Sequence, residues 1–170
     1  MNFPNDPREM SKADFVAQFG GVYEHSVWIA EKACGHGLPM DANDVDTLCK
    51  YLRNIIETAG SEAQLTLLRA HPDLAGKLAK SGDLTDDSNA EQASAGLDQC
   101  NDAEFSEFND LNNRYKTRFG FPYILAVKGR NRQEILANFR ARIDNKPTVE
   151  FREALDQVHQ IARLRLVAMC

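Results

Sequence analysis

Residues 45–59 read VDTLCKYLRNIIETA, and Gly60 follows them. Apolar residues return every three or four positions in this stretch, as they do on one face of an α-helix. The residues of this stripe are Val45, Leu48, Cys49, Leu52, Ile55, Ile56 and Ala59. Glycine often ends a helix because it adopts left-handed backbone angles without strain. The stretch therefore predicts an amphipathic helix that runs from residue 45 to the glycine.

The same periodicity recurs along the chain, and its segments open with residues that cap helices. Residues 61–64, Ser-Glu-Ala-Gln, have the form of a capping box, in which two side chains satisfy free helix amides. Similar openings are Ser11 with Asp14, Ser88 with Glu91, Asn101 with Glu104, and Thr148. Residues 123–127 alone look extended, and one such run without a partner strand forms no sheet. The sequence predicts an all-α fold, a single-domain bundle of about seven to eight helices over residues 1–170.

Composition and charge exclude several classes of function. The chain has 170 residues, of which 43% are hydrophobic and 26% are charged, as in one soluble domain. Its net charge of −5 leaves no general positive field for nucleic acid or an anionic membrane. The longest uncharged apolar run, residues 119–127, is far shorter than the roughly 20 residues of a spanning helix. Since the first residues show no signal pattern, we expect a cytoplasmic protein with no nucleic-acid or membrane partner.

Cysteines stand at positions 34, 49, 100 and 170. They form no Cys-x-x-Cys pair, and no histidine lies at metal-ligand spacing from any of them. Disulfides are exceptional in an intracellular domain, so we expect reduced thiols and no metal site. The histidines at positions 25, 36 and 159 are assigned no chemistry.

His71 opens the sequence HPDLAGK, residues 71–77. A proline biases the residue before it away from helical angles and suits the first position of a helix. We therefore predict that Pro72 begins a new short helix and that His71 stands at its N-terminus, where free amides and the helix dipole favour an anion. An imidazole there could exchange a proton with the anion. The alternative is that His71 only occupies the cap.

Ser88 and Glu91 allow two interpretations. As Ser-x-x-Glu they form a capping box, and local geometry then explains both residues. If Glu91 instead faces a cavity that holds His71, its negative charge favours the protonated imidazole. The spacing alone leaves both interpretations open.

Arg165 falls within the apolar stripe of the last predicted helix, whereas Arg163 lies roughly 120° from the centre of the stripe and is expected in solvent. The stripe consists of Phe151, Leu155, Val158, Ala162 and Met169. A guanidinium on an apolar face is costly unless a carboxylate or a phosphate pairs with it. Arg165 therefore predicts an internal acid partner or a bound anionic ligand. The remaining alternative is an arginine whose head group reaches solvent.

At these same places the chain resembles the 2-oxo-4-hydroxy-4-carboxy-5-ureidoimidazoline (OHCU) decarboxylases of urate degradation. HPDLAGK at 71–77 is similar to the family's most recognisable motif, and S-x-x-EQ-x-x-AGLD at 88–98 to its second. FGFPYILAVKGR at 119–130 resembles the third motif, and IARLRL at 161–166 resembles the C-terminal helix. Tyr123 stands where the family usually has Phe, which adds a phenol beside the expected pocket.

The resemblance implies a role for each matching residue. It makes His71 the catalytic proton donor and places Glu91 with it in the catalytic site. The substrate-binding residues that it implies are Pro72, Ser88, Gln92, Tyr123, Ile124, Leu125, Ala126, Val127 and Arg165. It further implies an all-helical homodimer that uses neither cofactor nor metal and acts on the small molecule OHCU.

The chemistry of this substrate is consistent with an enzyme that has no cofactor. The carbon that loses carbon dioxide neighbours a ring C=N, so the electrons of the breaking bond can flow into that imine. The intermediate must then take a proton on one face to give (S)-allantoin, and a fixed acid such as His71 can supply it. The alternative is a non-catalytic all-helical module that binds the ligand without turning it over.

Overall fold

The computed structural model describes residues 1–74 and 86–170; for residues 86–89 and 98 it describes the backbone only. The α-helices within these ranges are α1 Lys12–Phe19, α2 Trp28–His36, α3 Val45–Glu57, α4 Ser61–Ala70, α5 Asp86–Ser94, α6 Asp102–Phe119, α7 Arg132–Arg142 and α8 Pro147–Ala168. Two short 3-10 helices cover Pro7–Glu9 and Leu97–Gln99. Asn2 and Asp44 form an isolated bridge, and the described residues contain no β-strand. The all-α prediction is confirmed.

Contacts divide the chain into two compact units. The first comprises Met1–Ala70 with Val158–Cys170, and the second comprises His71–Gln157. Helices α1–α4 belong to the first unit and α5–α7 to the second, while α8 contributes residues to both. The single domain expected over residues 1–170 stays a prediction. Within the described ranges, no helix combines the length and the apolar character that a membrane span requires.

Helix α3 supplies much of the first unit's core, as its apolar stripe predicts. Its buried residues are Val45, Leu48, Leu52, Ile55 and Ile56. The helix begins after Asp44, whose carboxylate accepts a 3.0 Å hydrogen bond from the Thr47 amide, and it ends at Glu57, before the predicted end at Gly60. Gly60 adopts the positive φ of 87° that glycine permits.

Gln64 has a different role from the predicted capping box with Ser61. The helix α4 begins at Ser61 itself, so this residue is not the cap that precedes the helix. The Gln64 side-chain amide donates to the carbonyl oxygens of Ile56 at 3.1 Å and Glu57 at 3.3 Å. The last carbonyls of a helix lack partners within it, so Gln64 satisfies the end of α3 instead.

Capping predictions at the other helices have mixed outcomes. Ser11 caps α1 and accepts the Asp14 amide, and Asn101 with Glu104 forms a complete capping box at α6. The cap predicted at Thr148 is wrong, because Thr148 lies inside α8 and Pro147 takes the first helical position, where no amide N–H is needed. A second complete capping box, Asn131 with Glu134 at α7, has the same sequence form and was missed.

Aromatic side chains form the core of the second unit. The buried ring of Tyr115 in α6 packs edge-on against Phe121, Tyr123 and Phe139. The rings of Tyr123 and Phe139 are stacked with centroids 3.7 Å apart. These contacts hold the non-helical segment 121–127 against α6 and α7.

Candidate active site

His71 follows directly on Ala70, the last residue of α4, and is buried. Residues 72–74 are not helical, and residues 75–85 lie outside the described part of the chain. The prediction that Pro72 begins a helix is therefore wrong: a proline lacks the amide N–H that would continue α4, and here it ends that helix. The anion site predicted from a helix N-terminus at His71 is wrong for the same reason, because the C-terminal end of a helix presents carbonyl oxygens rather than amides.

Two side chains of α6 hold the residues that follow His71. The Asn112 side-chain amide donates from Nδ2 to the carbonyl oxygen of Leu74 at 2.8 Å. One helical turn later, Lys116 Nζ donates to the carboxylate of Asp73 at 2.6 Å. The stretch after His71 is thus held by side chains of α6 rather than by helical hydrogen bonds.

Helix α5 carries Ser88, Glu91 and Gln92. Ser88 lies in the first turn with two helical residues before it, so the interpretation of Ser88 as the N-cap is wrong. Its side chain lies outside the described residues. Gln92 is buried and Glu91 is half-buried. Neighbouring positions on a helix point about 100° apart, so these two side chains have different surroundings.

Tyr123 directs its hydroxyl group towards α7. The phenol donates a 2.6 Å hydrogen bond to the Oδ1 atom of Asn138, and the residue is only 1% exposed. Burial is the main cause that raises the pKa of Tyr123, so the phenol stays protonated and can donate. The polar group that distinguishes this position from phenylalanine therefore has a partner within the protein.

Two residues of the segment 123–127 have backbone groups bonded to side chains. Arg142 Nη1 donates to the carbonyl oxygen of Ile124 at 2.7 Å. The amide of Ala126 donates to Gln157 Oε1 at 2.9 Å. The Ala126 amide is therefore occupied by the protein itself.

The other four amide N–H groups of this segment have no hydrogen-bond acceptor within residues 1–74 and 86–170: those of Tyr123, Ile124, Leu125 and Val127. These residues are 1%, 2%, 3% and 4% exposed. Buried amides are normally paired, so an unpaired one is a place where a bound molecule can be held. The segment thus offers several backbone donors that have no acceptor among the described residues.

A buried ion pair lies behind this segment and was missed by the sequence analysis. Arg142 Nε donates to Glu150 Oε1 at 2.8 Å, and both side chains are at most 5% exposed. The Tyr115 hydroxyl donates to the same carboxylate, and Asn145 Nδ2 donates to Glu150 Oε2 at 2.8 Å. Arg142 shares an apolar helix face with Ile135 and Phe139. The pattern that pointed to Arg165, an arginine within an apolar helical stripe, therefore also occurs at Arg142 and could have identified it.

Arg165 is buried in α8 and has an internal acid partner. Its Nη2 atom lies 3.4 Å from Glu24 Oε2, and Nη1 donates to the carbonyl oxygen of Gly21 at 3.4 Å. Glu24, in the loop between α1 and α2, is also buried. Arg163 is exposed, as predicted, and pairs with Asp46. Of the alternatives for Arg165, the structure therefore provides the internal acid, which the sequence did not identify.

His159 belongs to a second buried polar group of the first unit. Its Nδ1 atom is 2.9 Å from the Tyr23 hydroxyl, and its Nε2 atom is 3.2 Å from Glu57 Oε1. Burial is the main cause that raises the pKa of Tyr23. These bonds join α8, α3 and the loop before α2 within this unit.

The predicted site residues are divided between the two units. His71, Glu91, Gln92 and residues 123–127 belong to the second unit, and Arg165 belongs to the first. That Arg165 completes the same site stays a prediction. Among the described residues, no three His, Cys, Asp or Glu side chains gather as metal ligands do.

Comparisons with known proteins agree with these motifs. A family model described as OHCU decarboxylase matches residues 8–167. The 2-oxo-4-hydroxy-4-carboxy-5-ureidoimidazoline decarboxylase of Haloferax volcanii is 45% identical over 152 residues, which cover 89% of this chain and 86% of that protein. The uric acid degradation bifunctional protein PucL of Bacillus subtilis is 37% identical over 95% of this chain but only 31% of its own length.

Solved structures share the fold. A crystal structure of (S)-allantoin synthase has a TM-score of 0.76 and 32% identity over 96% of this chain, which spans about half, 52%, of that longer chain. A crystal structure of OHCU decarboxylase in the presence of (S)-allantoin has a TM-score of 0.67 at 22% identity, a likeness that shows the fold alone. Because the family model covers nearly the whole chain and several relatives exceed 30% identity, this chain belongs to the OHCU decarboxylase family.

Proposed function

We propose that this chain is a carboxy-lyase that converts OHCU to (S)-allantoin in urate degradation, without a cofactor. Membership of the family supports the reaction. The observation that carries the proposal in this chain is the buried segment 123–127. It lies in the same compact unit as His71 and Glu91, and most of its amides have no acceptor among the residues that the structure describes. Such a segment can bind the ureido and ring oxygens of a small polar acid through backbone N–H groups.

The reaction needs little from the protein beyond binding and one proton. When the C–CO2 bond breaks, its electron pair moves into the neighbouring ring C=N of the substrate, and carbon dioxide leaves. The resulting enol-like intermediate takes a proton at the neighbouring carbon, which belonged to the C=N, while the hydroxyl group on the carbon that lost the carboxylate releases its proton and becomes the ring carbonyl. Bulk water would protonate both faces and give a racemate, so a single hand of allantoin requires a fixed proton donor.

In this proposal His71 is the proton donor. Its imidazole is buried beside a backbone stretch held by α6, so it can approach the intermediate from one side. Glu91 orients and charges His71, or accepts a hydrogen bond from the substrate hydroxyl. The helical position of Ser88 removes the competing role of the Ser88–Glu91 pair as a helix cap.

The remaining residues bind the substrate. Arg165 pairs with an anionic part of OHCU, since a guanidinium matches a carboxylate with two parallel hydrogen bonds. Ser88 and Gln92 line the site from α5, and Pro72 with residues 123–127 forms the wall.

The deciding experiment generates OHCU in situ from urate with the upstream enzymes, adds this protein, and follows circular dichroism. We expect a signal of one hand that grows faster than the spontaneous background. The variant His71→Ala should lower turnover by about 10²-fold to 10⁴-fold while the protein stays folded, because a positioned general acid contributes that much. His36→Ala is the matched control, since His36 is exposed.

Other outcomes would contradict the proposal in distinguishable ways. Binding of (S)-allantoin without faster turnover would favour the non-catalytic module. Near-full activity of a folded His71→Ala variant would remove His71 from the mechanism while leaving the reaction intact.

We further propose that residues 1–170 act as one domain, that the protein is a homodimer, and that it works in the cytoplasm. The family resemblance supports the dimer. None of the four cysteines forms a disulfide, which suits a reducing compartment. Light scattering at several concentrations tests the dimer, and a single cooperative unfolding transition by two probes tests the single domain.

A further inference from the structure

Asn112 is a polar residue at a core position of α6. It is 2% exposed, and it shares the inward face of the helix with Phe108, Leu111 and Tyr115, which are buried as well. Spacings of three and four residues place these side chains together, so an apolar residue such as leucine would suit this position. The asparagine therefore needs an explanation other than packing.

One half of the Asn112 side chain is satisfied and the other half is not. Nδ2 donates to the carbonyl oxygen of Leu74, whereas Oδ1 is buried with no hydrogen-bond partner in the described part of the chain. A buried acceptor that has lost water and gained no donor destabilises the folded state. The unpaired Oδ1 of Asn112 thus lowers the stability of the fold, while its Nδ2 supplies the hydrogen bond to Leu74.

The bond to Leu74 is one of two that act on successive residues. Lys116 lies one helical turn after Asn112 and donates to Asp73 at 2.6 Å. Both bonds fall on the non-helical residues directly after His71, where Pro72 has no amide N–H to donate. The path of the backbone at His71 is thus set from α6.

We propose that Asn112 and Lys116 are positioning residues, which hold the backbone after His71 so that its imidazole reaches one face of the reaction intermediate. This inference rests on the proposed role of His71 as the proton donor. A displacement of about 1 Å at a reacting group can lower a rate by about 10²-fold. A hydrogen-bonding residue that lowers stability can therefore be retained because it keeps the rate high.

The variant Asn112→Leu separates this role from a structural one. It removes the donor to Leu74 and also the unpaired buried oxygen. We expect an unfolding midpoint close to that of the wild type, because loss of the unpaired Oδ1 offsets loss of the donor to the Leu74 carbonyl. We also expect a kcat lower by about 10-fold or more and a nearly unchanged KM. We also expect a lower enantiomeric excess of allantoin after subtraction of the spontaneous reaction. Asn113→Leu is the matched control, since Asn113 is exposed on the same helix.

Lys116 offers a second test that does not depend on the buried position. Its side chain is 41% exposed, so Lys116→Gln should leave the fold intact. We expect kcat to fall by about 2-fold to 5-fold, and Lys116→Arg, which keeps the ion pair with Asp73, to restore it. If Asn112→Leu does not fold, the Lys116 variants decide the question.

The outcomes separate this inference from the proposed function. A wild-type protein that does not accelerate the reaction contradicts the proposed function. An active wild type, an inactive His71→Ala variant, and unchanged kcat in both Asn112→Leu and Lys116→Gln would overturn the positioning role alone. A kcat that falls only in proportion to lost folded protein would overturn it as well.

Discussion

Arg142 Nη1 donates a 2.7 Å hydrogen bond to the carbonyl oxygen of Ile124. The same guanidinium is paired with Glu150 and lies 4.7 Å from the centre of the Tyr123 ring. Burial tends to lower the pKa of Arg142, but the hydrogen bonds and the charge of Glu150 raise it above its ordinary value, so the guanidinium stays charged. A charged group inside the second unit thus fixes the backbone that we propose as the wall of the substrate site.

Removing one charge of this pair should be strongly destabilising. Glu150→Gln leaves the buried guanidinium of Arg142 without a counter-charge, and we expect the free energy of unfolding to fall by about 3–5 kcal/mol in urea denaturation. The double variant Arg142→Met/Glu150→Leu should lose less free energy of unfolding than the losses of Arg142→Met and Glu150→Leu added together, because neither charge is left alone.

The exposed pair Arg140–Glu107 is the matched control for this prediction. Arg140 Nε donates to Glu107 Oε1 at 2.6 Å, but the two side chains are 56% and 36% exposed. Solvent screens such a pair, so Glu107→Gln should change the free energy of unfolding little. If Glu150→Gln and Glu107→Gln lowered the free energy of unfolding equally, burial would not explain the contribution of the Arg142–Glu150 pair.

Arg165→Lys should weaken capture of the substrate. Lysine keeps the charge but lacks the planar fork that binds a carboxylate with two hydrogen bonds. We expect steady-state kinetics to show a raised KM with a smaller change in kcat. Arg163→Lys, in the same helix but exposed and paired with Asp46, is the control and should leave both constants unchanged. If the kinetics of Arg165→Lys were unchanged, the role of Arg165 would be structural, as the partner of Glu24.

Glu91→Gln should lower kcat without lowering stability. Because α5 begins before Ser88, Glu91 does not stand at the third position of a capping box, so loss of its charge should not weaken the helix end. Thermal unfolding and single-turnover rates measured on the same preparation check this prediction. Normal turnover together with a lower unfolding temperature would instead assign Glu91 a structural role.

Tyr123→Phe should affect stability and leave catalysis unchanged. The variant loses the hydrogen bond from the hydroxyl to Asn138, and we expect a loss of about 1 kcal/mol in the free energy of unfolding. The ring remains stacked on Phe139, and the hydroxyl faces α7, so kcat/KM should stay as in the wild type. A changed KM with unchanged stability would mean that the phenol contacts the substrate.

Local sequence patterns predicted most of the helices but not all of their boundaries. The stripe of α3 and the caps at Ser11 and Asn101 were correct, since they depend on residues within one or two turns of each other. The boundary at Pro72 was wrong because a proline that suits the start of a helix equally well ends the one before it. Choosing between the two requires the course of the following chain.

Partners of the buried charges depend on the packing of distant segments. Arg165 was predicted to need an acid, but Glu24 is 141 residues away along the chain. The amides available in the segment 123–127 could not be predicted either, because Gln157, 31 residues from Ala126, occupies one of them.

The amino-acid sequence by itself determined the helical class, the family motifs and the chemical types of the site residues, because periodicity and motifs are properties of short contiguous stretches. Only the tertiary structure decided which carboxylate meets which guanidinium, which backbone amides of the segment 123–127 have no acceptor among the described residues, and that α6 holds the chain after His71. These depend on how helices pack within each unit, and no local pattern contains that information.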